Sequence, residues 1–175
     1  MRFAALVFVL LLPLAIPRAA EPPPVASTGS SAPWPAARTP HERALVRYYT
    51  AVNEGNLDAA LAELGETFHS EAAFPGGRKN DRAGFREFLS LLRTAFPDAR
   101  IEIVEFIGDG DTTVCRYTFS GTHRAKFLNL RPTRKTATAG GLDIWRFQGN
   151  QIQMLQGHFD SLGLLVQLGL VPEVK

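Results

Sequence analysis

The chain has 175 residues, 45% of them hydrophobic and 21% charged, which is enough for one domain with its own core. Its formal charge is +2, and setting aside Arg2 and Arg18 leaves 17 basic residues against 17 acidic ones. That balance gives no electrostatic footing for nucleic acid or an anionic membrane, so neither is expected as a partner.

At the N-terminus, Arg2 precedes an apolar run over residues 3–16 that is broken only by Pro13. The run is too short for a comfortable membrane span and has the pattern of an export signal. Residues 1–20 are the expected signal peptide, with cleavage after Ala20. The mature protein is then periplasmic or extracellular, with no stable membrane insertion. Arg18, close before that site, leaves an uncleaved signal acting as a membrane anchor as the alternative. Residues 21–38 hold Pro22, Pro23, Pro24, Pro33 and Pro35 among alanine and serine. They bury too little apolar surface to offset ordering and read as a disordered tether. The folded domain is expected over residues 39–175.

Thr39, Pro40 and Glu42 mark a helix start, with Leu45, Tyr48, Tyr49 and Val52 on one face. Gly55 stops this helix, and Asn56 caps a second that carries Leu57, Ala60, Leu61 and Leu64. Residues 65–80 read as a loop region with one short extended piece near Phe68 and a turn at Pro75, Gly76 and Gly77. Asp81 opens a third helix whose face is Phe85, Phe88, Leu89, Leu92 and Phe96, and Pro97 ends it. The period then changes from helix to strand. Ile101, Ile103 and Ile107 alternate with Glu102, Val104 and Phe106, and residues 108–111 form a hairpin turn. Further strands are expected at 112–120, 136–147 and 151–159, followed by a closing helix at 161–168. Three helices ahead of antiparallel strands argue an α+β domain with helices packed on one face of a curved sheet.

Cys115 is the only cysteine, so an exported chain has no internal disulfide. It reads as core, with nothing in sequence to activate a thiolate. His41, His69, His123 and His158 are scattered, which gives no metal-ligand spacing and no expected metal site.

Six stretches together resemble one family. GDTTVCRYTFSGTH (110–123), RPT (131–133), GNQI (149–152) and DSLGLLVQLGLVP (160–172), with YYTAVNEGNLDAAL (48–61) and FPDARIEI (96–103), are similar to the SnoaL-like polyketide cyclases and the related ester cyclases. The resemblance implies the nuclear-transport-factor-2-like fold, a cone of strongly bent sheet lidded by helices around a deep apolar pocket. It further implies a small hydrophobic carbonyl or ester compound as partner and cofactor-free acid/base chemistry. Dimerisation through the sheet is also implied. The chain departs from the family in two places. The family often has glycines where Ala125, Asn129 and Arg134 stand here. By register from Gln167-Leu168-Gly169, the family's pocket aspartate falls on Gly157 and its histidine on Asp143. Glycine has no proton to exchange, so the usual acid/base group is missing. A non-catalytic ligand-binding or dimerisation module of the same fold is therefore the alternative to an enzyme.

Asp143 and His158 are the candidate catalytic residues. Asp143 sits between Leu142, Ile144 and Trp145 on a strand too apolar for an idle charge, so it is either a base or ligand anchor or a carboxylate with a structural partner. His158 neighbours the family's aspartate position. It is a pocket base if a bulge swings it inward, and a rim residue otherwise. Tyr49, Trp145, Phe147, Arg116 and His123 are candidate pocket residues. Tyr48, Phe85 and Phe88 read first as core. Asp160 directly precedes a helix and is read as its N-terminal cap.

Overall fold

The computed structural model describes residues 34–71 and 74–171. The expected signal peptide and most of the expected tether lie outside them. Residues 34–38 are described, and Trp34 packs against the hydrophobic core. Packing therefore begins ahead of residue 39.

Helix α1 spans Pro40–Glu54 and starts with a capping box. The Glu42 amide donates to Thr39 Oγ1 at 3.1 Å, and the Thr39 amide donates back to Glu42 Oε2 at 3.0 Å. Two of the helix's free amides are thereby satisfied. Gly55 closes α1 in the left-handed conformation, and Asn56 caps the short α2, Leu57–Ala62. Asp81 caps α3, Arg82–Ala95, by accepting from the Gly84 amide. These starts and stops fall where the sequence places them.

One element differs from expectation. The segment expected to be mostly loop contains a full strand, β1, Leu64–Ser70, so the helices do not all precede the sheet. β1 runs parallel to the last strand with an irregular register between Leu64 and His69. That irregularity, on a sheet edge, breaks the alternation a strand normally writes into its sequence. The other strands are β2, Arg100–Asp109; β3, Thr112–Thr122; β4, Thr136–Gln148; and β5, Gln151–Phe159. All five form one sheet in the order β1-β5-β4-β3-β2, antiparallel except for β1 with β5. Helix α4, Ser161–Gln167, closes the described chain. The fold is α+β, as expected.

A bulge in β2 corrects a second detail. Ile103 pairs with Tyr117 and Glu105 with Arg116, so Val104 is the extra residue. The bulge reverses the alternation. Phe106 consequently packs against the core, while Ile107 is left 62% exposed instead of sharing the face of Ile103.

Side-chain pins hold the helices against the sheet. Near its start, α1 is tied by His41, whose ring stacks on Phe147 with centroids 4.1 Å apart and whose Nε2 lies 2.9 Å from the Gly149 carbonyl oxygen. Near its end, the Asn53 amide pairs with both backbone groups of Ile101, at 2.8 and 2.7 Å. Gln167 does the same for α4, accepting from the Thr138 amide and donating to the Thr138 carbonyl. Such two-point amide pairs copy a strand's own hydrogen bonding and fix each helix in register with the sheet. The pinning of α1 brings Tyr49 over β4.

Candidate functional site

Helices α1, α3 and α4 and the inner face of β3, β4 and β5 border a cavity of about 490 Å³. Its walls are mainly apolar, with Phe88 and Leu92 from α3 and Leu164 and Leu165 from α4. On β3 and β4 the odd-numbered residues are the inward set, by strand alternation. That parity brings Tyr117 and Asp143 to the wall of the cavity, and carries it on to His123 just past the end of β3.

Asp143 is 8% exposed. Tyr49 donates its hydroxyl hydrogen to Asp143 Oδ2 at 2.7 Å, and Trp145 Nε1 donates to the Tyr49 oxygen at 3.2 Å. The indole nitrogen is a donor only, so the Tyr49 hydroxyl accepts from Trp145 and directs its own hydrogen to Asp143. The chain of bonds orients the carboxyl through Oδ2. Burial pushes the carboxyl pKa up to about 7, against the opposing pull of the Tyr49 and Tyr117 hydroxyls. Burial and the Asp143 charge also raise Tyr48, Tyr49 and Tyr117, which keep their protons.

Two glycines make this arrangement possible. Tyr117 pairs directly with Gly141 across β3 and β4, and a Cβ on Gly141 would come 2.2 Å from Tyr117 Cζ. With no side chain there, the ring lies across β4 and presents its hydroxyl to Asp143, two residues along the same face. On the other side, Gly157 pairs with Asp143, and a Cβ on Gly157 would come 2.9 Å from Asp143 Oδ1. A side chain at position 157 would thus enter the space that the Asp143 carboxyl occupies from the neighbouring strand. Sequence reasoning passed over Tyr117 and Gly141, because the long connection between the end of β3 at Thr122 and the start of β4 at Thr136 leaves their register unwritten in the sequence.

His123 is fully buried and lies against Phe96, ring centroids 5.2 Å apart. The Thr133 amide donates to its Nδ1 at 3.3 Å, and its Nε2 has no hydrogen-bond partner among the described residues. Burial lowers its pKa, with a smaller opposing contribution from the Ala125 backbone. The loop that returns from His123 closes on it: the His123 amide donates to the Lys135 carbonyl, and the Arg134 amide to the His123 carbonyl. Arg134 holds φ at 62°, a left-handed backbone that is uncommon for a residue with a side chain.

The remaining candidates are placed differently. His158 reaches only the cavity rim and is exposed. It pairs with Leu142 in a register that is regular from Gly141 to Arg146, so no bulge turns it toward Asp143. Arg116 is on the outer face, bonded to Glu105 directly opposite on β2. Trp145 is wholly buried beneath Tyr49 and serves the site through that tyrosine instead of lining the cavity. Phe147 is spent on His41. Cys115 is buried core with its thiol pKa raised by burial, then by the Asp143 charge. Among the described residues no group of three or more His, Cys, Asp or Glu side chains is placed to hold a metal ion.

Asp160 caps α4, its Oδ1 accepting from the Gly163 amide at 2.8 Å. Asp160→Ala is expected to lower stability by about 1 kcal/mol, the usual cost of a lost cap, and to leave ligand affinity unchanged in the folded fraction. Urea titration and a binding isotherm check both; binding lost with stability intact would return Asp160 to the site.

Comparison with known proteins bears on the whole arrangement. A search of curated proteins finds no match. Among solved structures, TsrD from Streptomyces laurentii superposes with a TM-score of 0.70 at 21% identity, covering 78% of this chain and 100% of that one. A polyketide-cyclase candidate from Acidithiobacillus ferrooxidans gives 0.66 at 27% identity, covering 78% and 99%. TerC, co-crystallized with polyporic acid, gives 0.61 at 20% identity, covering 75% and 99%. These likenesses fix the fold as nuclear-transport-factor-2-like. The family model described as SnoaL-like polyketide cyclase matches residues 42–168, which takes in most of α1, the whole sheet and all three of Tyr49, Asp143 and Gly157. The chain belongs to the SnoaL-like polyketide cyclase family.

Proposed function

We propose that the protein binds a small hydrophobic carbonyl or ester compound in the cavity and moves a proton on it, with Asp143 as the acid/base group. The observation that carries this reading is a carboxyl with a pKa of about 7 facing an apolar cavity. Such a group has both protonation states on hand near neutral pH, which is what general acid/base work needs. The step is proton abstraction beside a carbonyl. The Asp143 carboxylate takes the C–H proton, the bond's electron pair passes through the new C=C bond to the carbonyl oxygen, and the proton returns from the carboxyl. Tyr49 and Tyr117 hold the carboxyl, Trp145 holds Tyr49, and Gly157 leaves room beside Asp143 Oδ1.

The test is hydrogen–deuterium exchange in D2O near pH 7.5 at C2 of 1-tetralone, beside its carbonyl, and at the C10 methylene of anthrone, which is conjugated to its carbonyl through the aryl rings. Protein-dependent exchange is expected. Gly157, standing where the family's aspartate falls, favours a second reading as a non-catalytic binding module. Binding of these ketones, or of polyporic acid, with no exchange above the buffer rate selects that reading.

Export is part of the same proposal. The support is the run over residues 3–16 behind Arg2. A C-terminally tagged protein is expected outside the cytoplasm with its mature N-terminus near Glu21. Full-length protein confined to the cytosol would refute the signal.

A further inference from the structure

We infer that His123 is a ligand-orienting residue whose Nε2–H donates a hydrogen bond to an oxygen of the compound held in the cavity. The inference rests on the cavity being a ligand site, as proposed above, and adds the chemistry of a second polar contact.

Four observations support it. His123 is wholly buried, yet it lines the cavity. Its Nε2 is one of two buried side-chain polar atoms with no partner among the described residues. A buried donor left unpaired costs about 1–3 kcal/mol, so a structure that keeps one is expected to fill it when occupied. The Thr133 amide donates to Nδ1, which makes that nitrogen the acceptor and places the ring's proton on Nε2. Finally, the surrounding loop is strained to hold this geometry. Arg134 and Leu128 both adopt positive φ, at 62° and 53°, and Arg134 closes directly on the His123 carbonyl. Arg134 thereby fixes the His123 backbone, and Thr133 beside it fixes the ring.

The contact also specifies the ligand class. Burial keeps the imidazole neutral, so it offers one N–H and no charge. It suits a neutral acceptor such as a ketone, ester carbonyl or aryl ether, and supplies no positive charge to offset the desolvation of a carboxylate. It is a separate point on the wall from Asp143: β4 pairs Asp143 with Cys115, and His123 is eight residues further along the chain. The compound is thereby expected to carry an oxygen at His123 in addition to the group that Asp143 works on.

The experiment compares anthrone with 9,10-dihydroanthracene, which share a three-ring skeleton and differ in one carbonyl. Affinities are measured for the wild-type protein, His123→Leu and His123→Gln, each with its fold checked by circular dichroism. Wild type is expected to favour anthrone. His123→Leu should reduce that preference by roughly three- to tenfold with dihydroanthracene binding unchanged. His123→Gln, whose side-chain amide N–H can replace Nε2–H, should keep most of it. An anthrone preference unchanged in folded His123→Leu overturns the inference while leaving Asp143-dependent exchange untouched. Equal loss of both compounds in both variants assigns His123 to structure and also overturns it. If neither compound binds the wild-type protein, the pocket reading fails and this inference fails with it.

Discussion

Asp143→Asn is expected to lower ketone exchange by about 10²–10⁴-fold and to stabilise the protein above pH 7. The two effects share one cause. Burial raises the carboxyl from 3.8 to about 7 in the folded protein, while the unfolded chain keeps the ordinary value. Between these two values the folded state holds a proton that the unfolded state releases. This contribution to stability is therefore full below about pH 4, falls as pH rises through 7, and is flat above. A difference of about 3 pKa units corresponds to roughly 4 kcal/mol. Asparagine keeps the acceptor for Tyr49 and has no charge to bury, so the variant should lose this pH dependence. Urea denaturation at pH 4 and pH 8 measures it. A variant that exchanges ketone protons like wild type would remove Asp143 from the chemistry.

Gly157→Asp is expected to lower stability by about 3 kcal/mol at pH 8 and to abolish exchange, although the register read from the sequence puts the family's aspartate at that position. A Cβ there would lie 2.9 Å from Asp143 Oδ1, so the new side chain displaces the carboxyl that Tyr49 holds. It also sets a second negative charge beside the first in a poorly solvated site, where two carboxylates cannot both ionise cheaply. The double change Asp143→His with Gly157→Asp introduces the pair that the family resemblance implies at these positions and should recover most of the lost stability. Chemical denaturation of the single and double variants separates the two causes. If Gly157→Asp alone is as stable as wild type and exchanges faster, Gly157 is merely a vacated position and Asp143 is not the base.

How far the sequence reaches depends on the range of the interactions involved. Local chemistry was readable: the capping box at Thr39, the caps at Asn56, Asp81 and Asp160, the stop at Gly55 and the turns of the antiparallel hairpins all depend on neighbours within a few residues. β1 was not, because its pairing with β5 is parallel, distant in sequence and irregular. The Val104 bulge leaves no mark on composition and only shows when β2 is paired with β3.

The site divides the same way. Asp143 stood out as a lone carboxylate in an apolar strand. Its partners did not, since Tyr49 reaches it across 94 residues of chain and Tyr117 reaches it because the opposite residue is Gly141. Arg116, Trp145 and Phe147 were drawn into the expected pocket by residue type and strand position. Parity places Arg116 on the outer face, while Trp145 and Phe147 face inward but are covered by Tyr49 and His41. His158 shares its strand with Gly157 but is one residue out of phase with the cavity.

The most direct test is the titration of Asp143 itself. With carboxyl-13C aspartate incorporated, the Asp143 resonance is the one missing from the Asp143→Asn spectrum. Its midpoint is expected near pH 7, well apart from the other aspartates. A midpoint near 4 would mean that the carboxyl is solvated and fully ionised at neutral pH, contradicting its assignment as a buried acid/base group.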